Sequence, residues 1–126
     1  MLYKGDWLSV RAMTRTNGLQ PALLWWEGLE KKGKGQFLAA VQVLETTLRS
    51  GRPPAGRAEK VRGSKNGLWE LKVTKPGSKP PHLRAIYRLE GRVLWVAIGF
   101  SKQKNKLEQA DVDQAENVTN EWPNGR

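Results

Sequence analysis

The chain has 126 residues, no cysteine, one histidine and a formal net charge of +10. This length predicts one domain, over residues 1–126, that buries its own core. The composition excludes disulfides and thiolate metal sites and, with His82 as the single histidine, disfavours zinc. The first ten residues do not resemble a signal peptide, and no run approaches the roughly 20 apolar residues of a membrane span. We therefore expect a cytoplasmic protein with no membrane association.

The positive charge is concentrated in the middle of the chain. Residues 1–51 carry seven Lys/Arg against four acids (+3), residues 52–106 carry fourteen against three (+11), and residues 107–126 carry one against five (−4). A basic central segment is the electrostatic pattern of a nucleic-acid-binding protein. The alternative is a basic surface that serves only solubility.

The first half of the chain predicts a possible strand within residues 7–15, followed by a helical hairpin over residues 21–50. Pro21 suits the first turn of a helix, which we expect to run to Lys32 and to end in the cations and glycines of Lys31–Gly35. The second helix has one apolar face with helical spacing. Its members are Phe37, Ala40, Val41, Leu44 and Leu48.

The second half begins with a basic loop rich in glycine and proline, Arg52–Gly67, which we expect to be mobile or shaped by a partner. Three antiparallel strands are predicted over residues 68–100, and the third is apolar on both faces and therefore central. A short C-terminal helix is predicted over residues 107–120. The tail after it is expected to fray, or to dock through Trp122. The order predicts an α+β fold with the helices packed on one face of a small sheet.

Several cations fall on one face of these strands. Lys72 alternates with Glu70, and Arg84 and Arg88 share a face with His82, opposite Tyr87, which we assign to the core. If the helices cover the Tyr87 face, Lys72, Arg84 and Arg88 line an open face and Lys102 lies at its rim. An arginine fork binds two phosphate oxygens, and lysine adds a point charge. The alternative is a solvated face with pairing to Glu70.

RNA can be cut by attack of its 2′-hydroxyl on the adjacent phosphate. This reaction needs a base, cations at the phosphate and an acid at the leaving oxygen. His82 could serve as acid or base, or could be an exposed residue at a strand end. Trp26, Trp69 and Trp95 fall in apolar patterns and are assigned to the core. Trp25 and Trp122 are less constrained and could contact RNA or a partner.

Five short motifs carry a resemblance to a known family. They are GLWELK at residues 67–72, Arg84 in its strand, GFSK at residues 99–102, Lys106, and DVDQA at residues 111–115. In this order and spacing they resemble the phage-derived, HigB-like branch of the RelE/HigB toxin superfamily. The resemblance implies a RelE-like fold, in which a small antiparallel sheet packs against an N-terminal helical hairpin and a short C-terminal helix follows.

The resemblance also implies an activity and partners. It implies a type II toxin that enters the A site of the 70S ribosome, contacts rRNA and cuts mRNA without a metal or other cofactor. It implies inhibition by an antitoxin, typically a helix-turn-helix protein encoded by a neighbouring gene. Lys72, Arg84 and Lys102 would hold the scissile phosphate, with His82 as the candidate acid or base. The predicted RNA or ribosome contacts are Arg57, Lys60, Arg62, Lys65, Arg88, Lys104 and Lys106.

The chain departs from the family pattern at positions that bear on catalysis. Ile98 replaces the usual histidine before Gly99, and Gln103 replaces the second lysine of a pair. After Gly99 the chain has neither tyrosine nor histidine, which leaves the general acid and base unassigned. The alternative function is a non-catalytic nucleic-acid-binding protein of phage or prophage origin that keeps the toxin scaffold.

Overall fold

The protein is an α+β domain built on one six-stranded sheet. The computed structural model describes residues 1–52, 56–75, 77–103 and 106–125. Residues 124 and 125 are described by their backbone alone. Its elements are β1 (Tyr3–Lys4), β2 (Ser9–Ala12), α1 (Pro21–Gly28), α2 (Lys31–Arg49), β3 (Ala58–Lys60), β4 (Trp69–Lys72), β5 (His82–Glu90), β6 (Val93–Lys102) and α3 (Gln109–Gly125). None of the helices in these described ranges is long and apolar enough to cross a membrane.

The sheet is larger than the predicted three strands. Its order is β1-β2-β6-β5-β4-β3, with β2 parallel to β6 and the other neighbours antiparallel. The predicted core corresponds to β4, β5 and β6, and the apolar β6 lies between β2 and β5 as expected. The segment predicted to be a basic loop contributes β3. This strand has only three residues, too short for a period-two pattern to stand out from the sequence.

Two helices form in the segment predicted to be a helical hairpin, but the boundary between them differs from the prediction. Helix α1 ends at Gly28, and Leu29 is extended with φ −72° and ψ 144°. The polar segment Lys31–Gly35 begins α2 rather than ending α1. Gly33 is buried four residues before Phe37 and thus continues the buried face of α2 towards its N-terminus. A Cβ atom at Gly33 would lie 3.3 Å from Leu83 Cδ1, so glycine lets α2 approach β5 closely.

One face of the sheet packs against the hairpin. Phe37, Val41 and Tyr87 are at most 2% exposed in this core, which confirms the core assignment of Tyr87. Burial raises the pKa of the Tyr87 phenol. Trp25 also packs here rather than standing free for a partner. A Cβ atom at Gly99 would lie 2.0 Å from the Trp25 ring, so only glycine lets the indole lie on β6 at this position.

The opposite face is not open, because α3 packs on it. The prediction that all helices lie on one face is therefore wrong. Ala115, Val118 and Trp122 form a stripe at helical spacing that packs against Ile86 and Ile98. The helix therefore continues into the predicted tail, which docks through Trp122, as one of the two predicted alternatives had it, rather than fraying. Trp122 is 1% exposed, and its ring centroid lies 5.0 Å from that of Trp95.

Two segments form polar contacts with α3. They are the loop before β4 and the chain after β2. Ser64 Oγ donates to Glu116 Oε1 at 2.6 Å and accepts from the backbone N–H of Leu68 at 2.9 Å. Asn66 donates to Glu116 and to Asn120. On the other side, Arg15 forms an ion pair with Glu121. The part of the loop from residue 61 to residue 67, expected to be mobile or shaped by a partner, is thus held by the protein itself.

Trp122→Ala is expected to lower the free energy of unfolding by about 3–5 kcal/mol, because it removes a buried indole from the core under α3. Leu24→Ala is the surface control, since Leu24 is 60% exposed and its loss should change stability by at most about 0.5 kcal/mol. Urea unfolding of both variants measures the difference. Equal stability of the two variants would show that the end of α3 does not dock on the sheet.

Candidate functional site

The first turn of α3 and the strands β3, β4 and β5 enclose a polar cleft of about 380 Å³. We call it the Arg84 cleft. It lies N-terminal to the apolar stripe of α3, between the start of the helix and the sheet. Its lining consists of Glu59, Lys60, Val61, Arg62, Glu70, Lys72, Arg84, Leu107, Glu108, Gln109 and Val112.

The four predicted catalytic residues lie on two cross-strand rows at this end of the sheet. Lys72 on β4 is the direct partner of Arg84 on β5, so both side chains project from the same face. His82 on β5 is the partner of Lys102 on β6, two residues further along on that face. Lys72 and Arg84 line the cleft, whereas His82 and Lys102 flank it.

Arg84 is buried, with 4% of its surface exposed. Its Nη1 donates to the carbonyl of Leu83 at 2.9 Å, and its Nε lies 3.8 Å from Glu70 Oε2. Burial raises the pKa of the Glu70 carboxyl, and the charges of Arg84 and Lys72 oppose that rise. Burial likewise lowers the pKa of Arg84, against the effect of Glu70. Each charged group thus offsets part of the desolvation cost of the other.

Lys72 forms the second ion pair of the cleft. Its Nζ lies 2.7 Å from Glu59 Oε1. The hydrogen bond and charge of Lys72 hold the pKa of Glu59 below its ordinary value. Glu59 and Glu70 are themselves direct partners across β3 and β4, so the two carboxylates stand side by side next to the Lys72–Arg84 row.

Lys102 joins the end of β6 to the start of α3. Its Nζ lies 2.9 Å from Asp111 Oδ2 and 3.4 Å from Glu108 Oε1. These contacts raise the pKa of Lys102, the hydrogen bond to Asp111 first. Asp111 is 9% exposed, so this carboxylate anchors the helix to the sheet rather than lying on a solvated helix face.

His82 does not occupy an exposed strand end. It is 8% exposed and is covered at the beginning of β5. Its position beside Lys102 keeps it next to the predicted phosphate-holding group, although it does not line the Arg84 cleft.

The predicted RNA contacts separate into three groups. Lys60 and Arg62 are exposed on the lining of the cleft, and Lys65 and Lys106 are exposed outside it. Arg88 lies at the other end of α3, 3.6 Å from Glu90 and 5.9 Å from the ring centroid of Trp122. The prediction for Lys104 falls outside the described residues.

Arg57 has a structural contact that the sequence did not suggest. Its Nε and Nη2 donate to the carbonyls of Lys72 and Val73, each at 2.9 Å. The backbone N–H of Lys72 in turn donates to the carbonyl of Arg57 at 2.7 Å. Arg57 therefore ties down the end of β4 from which Lys72 projects.

The sequence did not place the two carboxylates that line the cleft, Glu59 and Glu70, in the candidate site. The sequence shows that Glu70 shares a strand face with Lys72, but this pattern predicts only an ion-pair partner for the cations. Glu59 enters the cleft because β3 pairs with β4, and no sequence pattern marks that three-residue strand.

Together, the fold and the cleft define a small α+β protein whose mixed sheet presents paired cations and carboxylates at one end. A family model described as "Phage derived protein Gp49-like (DUF891)" matches residues 24–120. The chain therefore belongs to the Gp49-like family of phage-derived proteins. This membership confirms the phage-derived family indicated by the sequence motifs.

A structure of the Escherichia coli toxin RelE, a mutant in the free state, aligns with a TM-score of 0.43 and 21% identity over 81% of this chain and 85% of that chain. No curated protein matches the chain.

Proposed function

We propose that this protein is the toxin of a type II toxin–antitoxin system and cuts mRNA on the ribosome in the cytoplasm. The observation that carries the proposal is the Lys72–Arg84 row on the Arg84 cleft, with the exposed Lys60 and Arg62 at its margin. A cleft with several cations suits a phosphate of an RNA strand. Membership of a phage-derived, RelE-like family supports the same activity.

RNA cleavage needs cations at the phosphate and a group that transfers protons, and the residues of the cleft and its flanking row would supply both. Lys72 and Arg84 bind the oxygens of the scissile phosphate and stabilise the charge that develops on them in the transition state. Lys60 and Arg62 attract the neighbouring phosphates, and Lys102 stabilises the same phosphate from the flanking row. His82 is the candidate proton donor or acceptor of that row. A helix-turn-helix antitoxin from a neighbouring gene is the proposed inhibitor.

A non-catalytic nucleic-acid-binding protein is the second candidate. The observation in its favour is that Lys72, Arg84 and Lys102 each have a carboxylate partner, so the cleft carries less net charge than its cations alone suggest. Such a protein would bind RNA with a steep dependence on salt concentration and leave it intact.

The proposed activity predicts cuts within translated frames. The protein, made in a cell-free bacterial translation system, should generate new mRNA 5′ ends that are mapped by primer extension. The cuts should disappear when initiation is blocked, because the mRNA then does not enter the ribosomal A site. A folded protein that binds RNA in a salt-dependent manner and produces no cuts would favour the second candidate.

A further inference from the structure

The Arg84 cleft contains a group suited to accept a proton, although the sequence left this function unassigned. Glu59 and Glu70 stand side by side on β3 and β4, next to the cations that would hold the phosphate. The side chain of Glu70 is only 9% exposed, whereas that of Glu59 is 61% exposed. Of the two, Glu59 is the carboxylate that a bound ribose can reach.

The contacts of Glu59 also suit the task. Lys72 Nζ lies 2.7 Å from Glu59 Oε1, and an ammonium group has three N–H donors. Lys72 can therefore donate to a phosphate oxygen and to Glu59 at once, which places the carboxylate next to the bound phosphate. A glutamate carboxylate is ionised at neutral pH, the state in which a base accepts a proton.

We propose that Glu59 is the catalytic base that accepts the proton of the ribose 2′-hydroxyl. This inference rests on the proposed function. The 2′-O–H bond breaks, and its proton passes to a Glu59 oxygen. The 2′-oxygen bonds to phosphorus while the bond from phosphorus to the 5′-oxygen breaks, and the leaving oxygen takes a proton from His82 or from water. The products are a 2′,3′-cyclic phosphate and a 5′-hydroxyl end. Glu70 is a positioning residue that holds Arg84.

Glu59→Gln tests this assignment. The glutamine carbonyl still accepts a hydrogen bond from Lys72 but does not take up a proton, so we expect single-turnover cleavage of 5′-labelled mRNA on 70S ribosomes to slow by about 10²–10⁴-fold. Binding of the protein to the mRNA-loaded ribosome should remain. Glu27→Gln is the control, because it removes the same charge from an exposed position on α1 outside the cleft and should cleave at the wild-type rate.

The pH dependence of cleavage by Glu59→His tests whether residue 59 acts as a base or has a purely structural role. An imidazole accepts a proton only above its pKa, which is ordinarily about 6.5. The rate of this variant relative to the wild-type rate at the same pH should therefore rise with pH through that region, and the ratio cancels any pH dependence that the two proteins share. Other charged groups of the cleft face the same position and will shift this midpoint. They are Lys72 and Glu70 on β4, Arg84 on β5, Lys60 and Arg62 after Glu59, and Glu108 before α3.

The outcomes distinguish the inference from the proposed function. Wild-type cleavage with an equally fast Glu59→Gln variant would overturn the role of Glu59 and leave the endonuclease in place. Loss of ribosome binding together with cleavage in Glu59→Gln would also overturn it, because Glu59 would then act in binding. A wild-type protein that binds the loaded ribosome and produces no cuts would overturn both. Slow cleavage by Glu59→Gln, with a new pH-dependent rise in Glu59→His, would establish the base.

Discussion

Arg84→Met is expected to lower the free energy of unfolding by about 3–5 kcal/mol at pH 7, because it leaves the buried Glu70 carboxylate without its cationic partner. Glu70 lies 3.8 Å from the Arg84 guanidinium, and both side chains are less than 10% exposed. In the double variant Arg84→Met/Glu70→Gln the buried charge is absent, so most of the lost stability should return. Urea unfolding of the two single variants and the double variant forms a double-mutant cycle.

The loss of stability should depend on pH in a defined direction. Burial already raises the pKa of Glu70 while the charge of Arg84 lowers it, so removing Arg84 raises this pKa further. A carboxyl whose pKa is higher in the folded state stabilises the protein at acid pH, and that contribution is lost as the pH rises through the folded-state pKa. The deficit of Arg84→Met relative to wild type should therefore be smaller at about pH 5 than at pH 7.

Comparison with wild type at each pH separates this effect from those of other carboxylates. Glu59 and Glu121 have lowered pKa values, so their contribution is lost as the pH falls. The pKa of Glu121 depends on Arg15 and Thr16, so this group affects both proteins alike. Glu59 keeps the larger effect of Lys72 on its pKa and loses only the smaller effect of Arg84. An Arg84→Met protein that matches the wild type at both pH values would show that Glu70 does not depend on Arg84.

The double variant Arg84→Met/Glu70→Gln should cut mRNA at least about 10²-fold more slowly than wild type, because it lacks a preorganised donor to the developing phosphate charge. The measurement is the rate of appearance of new mRNA 5′ ends in translation reactions, at protein concentrations where the urea curve shows the variant to be folded. Arg84→Ala alone is a weaker test, because the buried Glu70 carboxylate would lose its Arg84 partner and the loss of activity could reflect unfolding.

A matched variant separates phosphate binding from general loss of positive charge. Arg49→Met removes one arginine from the exposed end of α2, away from the Arg84 cleft, and should leave the rate unchanged. Cleavage by a folded Arg84→Met/Glu70→Gln protein at the rate of the Arg49→Met control would remove Arg84 from the proposed mechanism.

The sequence by itself determined the local structure and the side of the sheet on which its cations lie. Strand alternation is a property of consecutive residues, so the shared face of Glu70 and Lys72, and that of His82, Arg84 and Arg88, followed from spacing alone. The apolar face of α2 and the two-sided apolar pattern of β6 were readable for the same reason. Five short motifs were enough to indicate the phage-derived family that the comparison confirmed.

Only the tertiary structure decided what covers that face and what neutralises its charges. Helix α3 has a sparse apolar stripe that becomes significant only when it meets Trp95 and Ile86, which lie far away in the sequence. The pairing of β3 with β4 brings in Glu59 across thirteen residues, and α3 brings Asp111 to Lys102 across nine. These contacts depend on which segments pair or pack in the folded chain, and the spacing of neighbouring residues does not contain that information. The composition could predict the basic segment but not the carboxylates that the fold sets beside its cations.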